Sequence, residues 1–216
     1  LATEDRIYEP SPLRVEPRCR HFGICGGCSM QHLDAMGQAA AKQRVLEDAF
    51  WHIGRLRPEV VYPVIHGAAW GYRSRARLSV RRVPKKGGVL VGFHEKRSSY
   101  IADMDSCEVL PSDVSKLLPL LRELIGALSV ADRLPQIEVA VGDAATVLVL
   151  RILQPLTLAD EAQLRRFAAE QGIQFWLQPG GPDSARPFYP ASAPALGYRL
   201  PEFGLQLHFR PNEFTQ

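Results

Sequence analysis

The chain has 216 residues, with 26 Lys and Arg against 23 Asp and Glu, for a formal net charge of +3. Hydrophobic residues make up 46% and charged residues 23%, an ordinary globular balance that excludes collagen-like, low-complexity and disordered classes. No apolar run approaches the ~18–20 residues of a membrane span, and the first residues carry no signal-peptide pattern, so a soluble, cytoplasmic protein is expected. The chain opens on Leu1-Ala2-Thr3-Glu4 without Met and stops at Phe214-Thr215-Gln216, which reads as a segment of a longer protein.

The first motif along the chain is built from thiols. Cys19, Cys25 and Cys28 form C-x5-C-x2-C, and Cys107 follows 79 positions later. Disulfides would need an oxidising compartment, for which nothing argues, and the C-G-G-C pair would close a strained ring. A metal site explains three thiols within ten residues better, because Gly23, Gly26 and Gly27 let a loop wrap tightly around one centre. Zinc usually takes two short knuckles, whereas iron–sulfur clusters commonly take three clustered thiolates and one remote. Spacing favours [4Fe–4S] over zinc only modestly.

Residues 31–54 then read as a helix with Leu46, Ala49, Phe50 and Ile53 on one stripe. Beyond it the charge becomes uneven. Residues 70–97 hold nine basic groups and one acid, Glu95, a surplus of +8 that leaves −5 on the other 188 residues. WGYRSRARLSVRRV alternates with period two, which predicts a strand with Arg73, Arg75, Arg77 and Arg81 on one face. Tyr72, Ala76, Leu78 and Val80 would face the core. Like charges in a row repel, and the planar fork of Arg suits phosphate oxygens, so a polyanion partner is expected. PKKGG (84–88) reads as a hairpin turn that adds Lys85 and Lys86. The return strand leads to His94, Lys96 and Arg97.

Residues 98–106 read as a further strand leading into Cys107. A helix follows over 112–128, capped by Ser112 or Asp113, with a possible kink at Pro119. Residues 137–143 and 146–153 read as a hairpin of core strands. Residues 158–172 read as an amphipathic helix ended by Gly172. Strands are expected at QFWLQP, ALGYRLP and LQLHFRP, with a flexible Pro/Gly/Ser-rich loop over 179–194. The order implies an α+β fold, a mostly antiparallel sheet with packed helices and an N-terminal iron–sulfur loop. His32, His52, His66 and His208 show no ligand spacing. No Gly-rich nucleotide fingerprint or carboxylate pair appears, and four thiolate ligands leave no cysteine nucleophile. The chain therefore reads as a binding platform with no catalytic residue of its own.

Taken together, C-x5-C-G-G-C-x2-Q-H-L (19–33), W-G-Y-R-x-R-A-R-L-S (70–79), V-G-F-H-E-K-R-S (91–98), D-M-x-S-C (103–107) and the final F-T-Q resemble the RNA uracil-C5 methyltransferases. The resemblance runs from about Pro17 to the last residue. It implies a central fragment of a three-part enzyme. Residues 1–15 would leave an N-terminal OB-like TRAM domain, and 16–30 would form the iron–sulfur loop. The helix 31–55 would pack on the catalytic domain, 56–210 would form the central RNA-binding domain, and 211–216 would begin the S-adenosylmethionine-dependent domain.

By the same resemblance Cys19, Cys25, Cys28 and Cys107 hold a [4Fe–4S] cluster, Gln216 touches S-adenosyl-L-methionine, and Phe214 joins the RNA-facing residues. The implied partner is 23S rRNA and the implied state a monomer. The implied reaction adds a cysteine thiolate to C6 of a flipped-out uracil, methylates C5, and removes the C5 proton with a general base. The cysteine, the base and the cofactor loop would lie outside this chain, so the segment alone is expected to be inactive. A tRNA or another rRNA uridine as target, and a non-catalytic iron–sulfur or zinc RNA-binding module, are the alternatives.

Overall fold

The computed structural model describes residues 7–192 and 194–213; Phe214 and Gln216 lie outside the described residues. In chain order the elements are α1 (Ala35–His52), β1 (Arg75–Val83), β2 (Gly88–Gly92), α2 (Ser112–Ala127), β3 (Gln136–Val141), β4 (Thr146–Arg151), α3 (Leu158–Gln171), β5 (Gln174–Gln178), β6 (Arg186–Tyr189), β7 (Gly197–Leu200) and β8 (Leu205–His208). β1 to β6 form one sheet in the order β2-β1-β3-β4-β5-β6, and β7 pairs with β8. Every pair is antiparallel except β4 with β5, where α3 makes the crossover that a parallel pair requires. The fold is thus α+β with a mostly antiparallel sheet, as the element order implied.

The period-two reading holds from Ala76 to Arg81, but β1 begins only at Arg75, and Tyr72, expected to face the core, lies before it and is exposed. Ala76, Leu78 and Val80 are buried, while Arg77 and Arg81 are exposed and Arg75 is half-buried. The buried face meets α2, whose Val114, Leu117, Leu118, Leu121 and Ile125 recur at helical spacing and are all inside. β4 departs from alternation because four consecutive residues, Val147 to Leu150, are buried. Leu148 and Leu150 join the main core, while Val147 and Val149 lie under Leu196 on the opposite face. A continuous apolar run is the signature of burial on both faces.

Four expectations need correction. Residues 98–106 form no strand; Ile101 makes an isolated bridge to His94, and the acidic residues around it leave the segment as loop. The stretch 179–194 is not all loop, since β6 pairs there with β5 as the edge strand, a position that tolerates its proline. The residue capping α2 is Pro111, with no side-chain cap; Ser112 is the first helical residue, and Pro119 lies inside the helix. α1 is also shorter than expected, beginning after Asp34, whose carboxylate accepts from the Gly37 amide at 2.6 Å.

The β7–β8 hairpin is seated by backbone. A Cβ at Gly142 would stand 2.7 Å from the carbonyl oxygen of Gly197, so the turn after β3 and the start of β7 approach as only glycines can. Beside them Asp143 donates its amide to Gly197 O at 2.8 Å, and its carboxylate accepts from the Arg199 amide at 2.9 Å.

One buried carboxylate ties α2 to α3. Asp160, 2% exposed, accepts from the Ser129 amide (2.8 Å) and hydroxyl (2.6 Å) and from the Thr157 amide (2.9 Å) and hydroxyl (2.7 Å). Thr157 completes a capping box with it. Burial alone would raise its pKa, but the bonds from Ser129 and Thr157 outweigh it and hold the group at about 2. A depressed carboxylate stabilises the fold above its unfolded pKa, and the contribution is lost as pH falls through the folded value. Asp160→Asn is therefore expected to lower unfolding free energy at pH 7 by roughly 2 kcal/mol. In urea melts the wild-type advantage should fade between about pH 4 and pH 2; an advantage independent of pH across that window would contradict the assignment.

Candidate metal centre and nucleic-acid interface

The cysteine loop is built from tight turns. Phe22 donates its amide to Cys19 O at 2.9 Å, Cys25 donates to His21 O at 2.9 Å, and Gly23 takes φ +96° between them. The buried Gln31 accepts from the Cys19 amide at 3.1 Å and so anchors the first thiol. Two further backbone bonds stitch the loop to the chain leaving β2: Gly26 N–H to His94 O, and Lys96 N–H to Ile24 O, both at 2.8 Å. Cys25 and Glu95 form the antiparallel bridge between them. A Cβ at Gly26 would meet His94 O at 2.9 Å, so glycine is required there.

Cys107 arrives from the other side. Its amide donates to the Ser115 hydroxyl on α2 at 2.8 Å. Just before it, Asp105 accepts from Arg20 and from His21 Nε2, the latter at 3.1 Å, which ties the approach to the loop. Burial, with Arg20 beside it, lowers the pKa of His21.

Cys19 and Cys28 lie near enough to Cys25 and Cys107 to act on their ionisation. Cys25 and Cys107 are buried, Cys19 and Cys28 partly so, and none is in a disulfide. Burial pushes both the Cys25 and the Cys107 thiols up, and the neighbouring Cys19 and Cys28 push them further in the same direction. Among the described residues, no three His, Cys, Asp or Glu side chains converge closely enough to hold one metal ion. A tetrahedral zinc site demands sulfurs about 3.8 Å apart, from Zn–S bonds of ~2.3 Å. A four-iron cluster takes each thiolate on a different iron and accepts a wider set. The donor set, three thiols on a glycine-rich loop and Cys107 beside α2, is of the chemical type that group takes.

Beside the loop lies a cleft of about 900 Å³, walled by Gly26, Gly27 and Ser29 on one side and by Arg73, Lys96 and Arg97 on the other. Arg73 lies over the Phe93 ring at 4.8 Å and Lys96 over Phe22 at 4.5 Å, so aromatic rings from the loop region hold these cations in place. His94 has turned toward β1, with Nε2 3.0 Å from the Ser79 hydroxyl.

The arginine row is less naked than its sequence window implies. Arg77 pairs with Glu138 at 3.0 Å, directly across on β3, and Arg82 with Asp132 at 3.4 Å. Lys86 reaches Glu95 at 3.6 Å. The Arg75 guanidinium donates to the backbone carbonyls of Pro211 and Glu213; burial lowers its pKa, opposed by Glu138 and Glu213. Among the described residues no acid pairs with Arg73, Arg81, Lys85, Lys96 or Arg97. These five are the cations left for a ligand. Sequence reading missed the partners Glu138 and Asp132, which lie outside the basic window and meet it only through strand pairing. Of the two aromatics at the start of the basic strand, Tyr72 is 58% exposed, while Trp70 packs on the core under Arg18 at 5.4 Å.

No family model matches the chain. In fold it is similar to the structure of Pyrococcus abyssi tRNA (uracil-54, C5)-methyltransferase in complex with S-adenosyl-L-homocysteine, with a TM-score of 0.61 over 98% of this chain and 49% of that one, at 21% identity. In sequence it is similar to the 23S rRNA (uracil(1939)-C(5))-methyltransferase RlmD of Aromatoleum aromaticum, at 64% identity over all 216 residues and 50% of that protein. RlmD of an Azoarcus species (64%, 50% of that protein) and of Ralstonia nicotianae (63%, 48%) match as fully. The resemblance to RNA uracil-C5 methyltransferases therefore holds along the entire chain, which spans about half the length of the curated relatives it matches.

The Gly26 contact generates a prediction about the centre. Gly26→Ala is expected to lift the loop from residues 94–95 and reduce metal retained on anaerobic purification to about half or less, with the sheet still folded by circular dichroism. Full metal content in that variant would show that the bridge is not needed to shape the loop.

Proposed function

We propose that this chain is the central, RNA-gripping part of an S-adenosylmethionine-dependent methyltransferase that forms 5-methyluridine in 23S rRNA. The observation that carries the reading is the 60–64% identity to RlmD proteins along the whole chain. The stitching of the cysteine loop to the basic cleft supports the division of labour. Cys19, Cys25, Cys28 and Cys107 would hold a [4Fe–4S] cluster, which when bound supplies a staple between the loop and the start of α2. Because buried thiols are protonated before binding, loading would release protons and be favoured by rising pH.

In the reaction this segment orients RNA. Arg73, Lys96 and Arg97 around the cleft, with Arg81 and Lys85 along the hairpin, would take backbone phosphates and hold the strand while the target base is out of its stack. The thiolate that adds to uracil C6 and the base that takes the C5 proton would come from the other half of the protein, as would most of the S-adenosylmethionine site, with Gln216 contributing to it. α1 fits a joint with that half: Val45, Leu46, Trp51 and Ile53 are exposed, and only Gly37 of the helix is buried. No helix among the described residues is long and apolar enough to cross a membrane, in keeping with a cytoplasmic rRNA-modifying protein.

Two measurements test this. Anaerobically purified protein should contain four iron and four acid-labile sulfide per chain; stoichiometric zinc without sulfide would return the reading to a zinc-stapled RNA-binding module. With a single-stranded, uridine-containing RNA oligonucleotide, log affinity should fall with log salt, and replacing Lys85, Lys96 and Arg97 by Ala should reduce the slope by about 2, at ~0.7 per phosphate. Arg77→Ala, which removes a cation already paired, should change it by much less. A larger effect at Arg77 than at the triple variant would place the RNA elsewhere.

A further inference from the structure

Arg75 differs from the rest of the basic row in what it holds. Its two terminal nitrogens donate to the carbonyl oxygens of Glu213 and Pro211, two residues apart on the segment that leaves β8. The guanidinium also lies 5.9 Å from the centroid of Phe209, at the start of that segment. The segment is closed on itself and on the sheet. Phe209 N–H bonds Leu196 O at 3.0 Å, Glu213 N–H bonds Arg210 O at 3.0 Å, and the Glu213 carboxylate accepts from the Arg210 amide at 2.8 Å.

Two carbonyls two residues apart are a target of fixed geometry. A guanidinium spans them with separate N–H groups in one plane, which an ammonium on a flexible stem does not. Because both acceptors are backbone, the contact fixes where the chain runs rather than which side chains it carries. β1 is also the strand that bears Arg77 and Arg81, so the clamp links the path of the departing chain to the RNA-facing surface.

We propose that Arg75 is a positioning residue: by clamping 209–213 to β1 it sets the path by which the chain departs from the RNA-facing strand. The inference rests on the proposed function, which gives Phe214 to RNA and Gln216 to S-adenosylmethionine. It removes Arg75 from the phosphate-binding set and makes it the joint between RNA grip and methyl donor.

The first test uses the free 216-residue chain without RNA. Arg75→Ala and Arg75→Lys should both speed amide hydrogen exchange at Phe209, Arg210 and Glu213 by about tenfold, while amides of β3 and β4 keep their protection. The salt slope for the RNA oligonucleotide should be unchanged in both variants. In the full-length protein both should lower kcat for 5-methyluridine formation about tenfold and leave KM for the RNA within about twofold. Unaltered exchange would overturn the clamp. Raised KM at constant kcat, with rescue by Lys, would return Arg75 to phosphate binding, and faster exchange with normal kcat would overturn its positioning role. If the wild-type full-length protein forms no 5-methyluridine, the proposed function fails, while the exchange experiment still decides whether Arg75 holds the segment.

Discussion

The two backbone bonds between the cysteine loop and residues 94–96 are the constraint from which the rest of this surface follows. Gly26 to His94 and Ile24 to Lys96 place the loop beside the chain leaving β2, in continuity with the sheet edge. Without them the glycine wall of the cleft and its cationic wall would have no fixed separation. Cys107, held by Ser115 on α2, approaches the same point from the helical layer. A centre assembled there draws on the loop, the sheet edge and the helix at once. Distortion of the loop would therefore reach Lys96 through its own amide, with no side-chain relay.

Charge is apportioned on the same surface by the sheet itself. Antiparallel pairing of β1 with β3 puts Glu138 opposite Arg77, a cross-strand pair that relieves the repulsion of the row at its middle. The relief is local. Among the described residues, the cations of this window without an acid are Arg73, Lys96 and Arg97 at the cleft and Arg81 and Lys85 along the β1–β2 hairpin. An exposed ion pair contributes little to stability, on the order of 1 kcal/mol or less. Its effect here is one of pattern, interrupting the row of cations along β1 at Arg77.

Much of this was legible in the sequence wherever the signal is local. Alternation marked β1, a helix was expected where α2 lies, and Gly172 marked the end of α3. The cysteines were legible by residue type, since few other roles gather thiols on a glycine loop. What failed depended on pairing between distant segments. Arg77 and Glu138 are 61 positions apart, and no local pattern announces that β3 lies beside β1. β6 was hidden because Pro187 and its Pro/Gly/Ser surroundings read as loop, although an edge strand tolerates them. Residues 98–106 failed in the opposite sense: Tyr100 and Ile101 look strand-like, but only Ile101 finds a bridge. The ligation of Arg75 to carbonyls was beyond reach, because backbone acceptors leave no trace in residue identity.

The seat of the β7–β8 hairpin has a consequence for how this part of the molecule can change. Where Gly142 meets the Gly197 backbone there is no room for a Cβ on Gly142, and Asp143 beside it bonds backbone groups of the hairpin. The outward residues Phe203, Leu205 and Leu207 are exposed and take no part in that joint. The hairpin can thus exchange its outer residues while keeping its pose, so that the surface it offers a neighbour is free to diverge while the attachment stays constant. The seat rests on Gly142, Gly197 and the bonds of Asp143, and the outer face of the hairpin is left open to evolutionary drift.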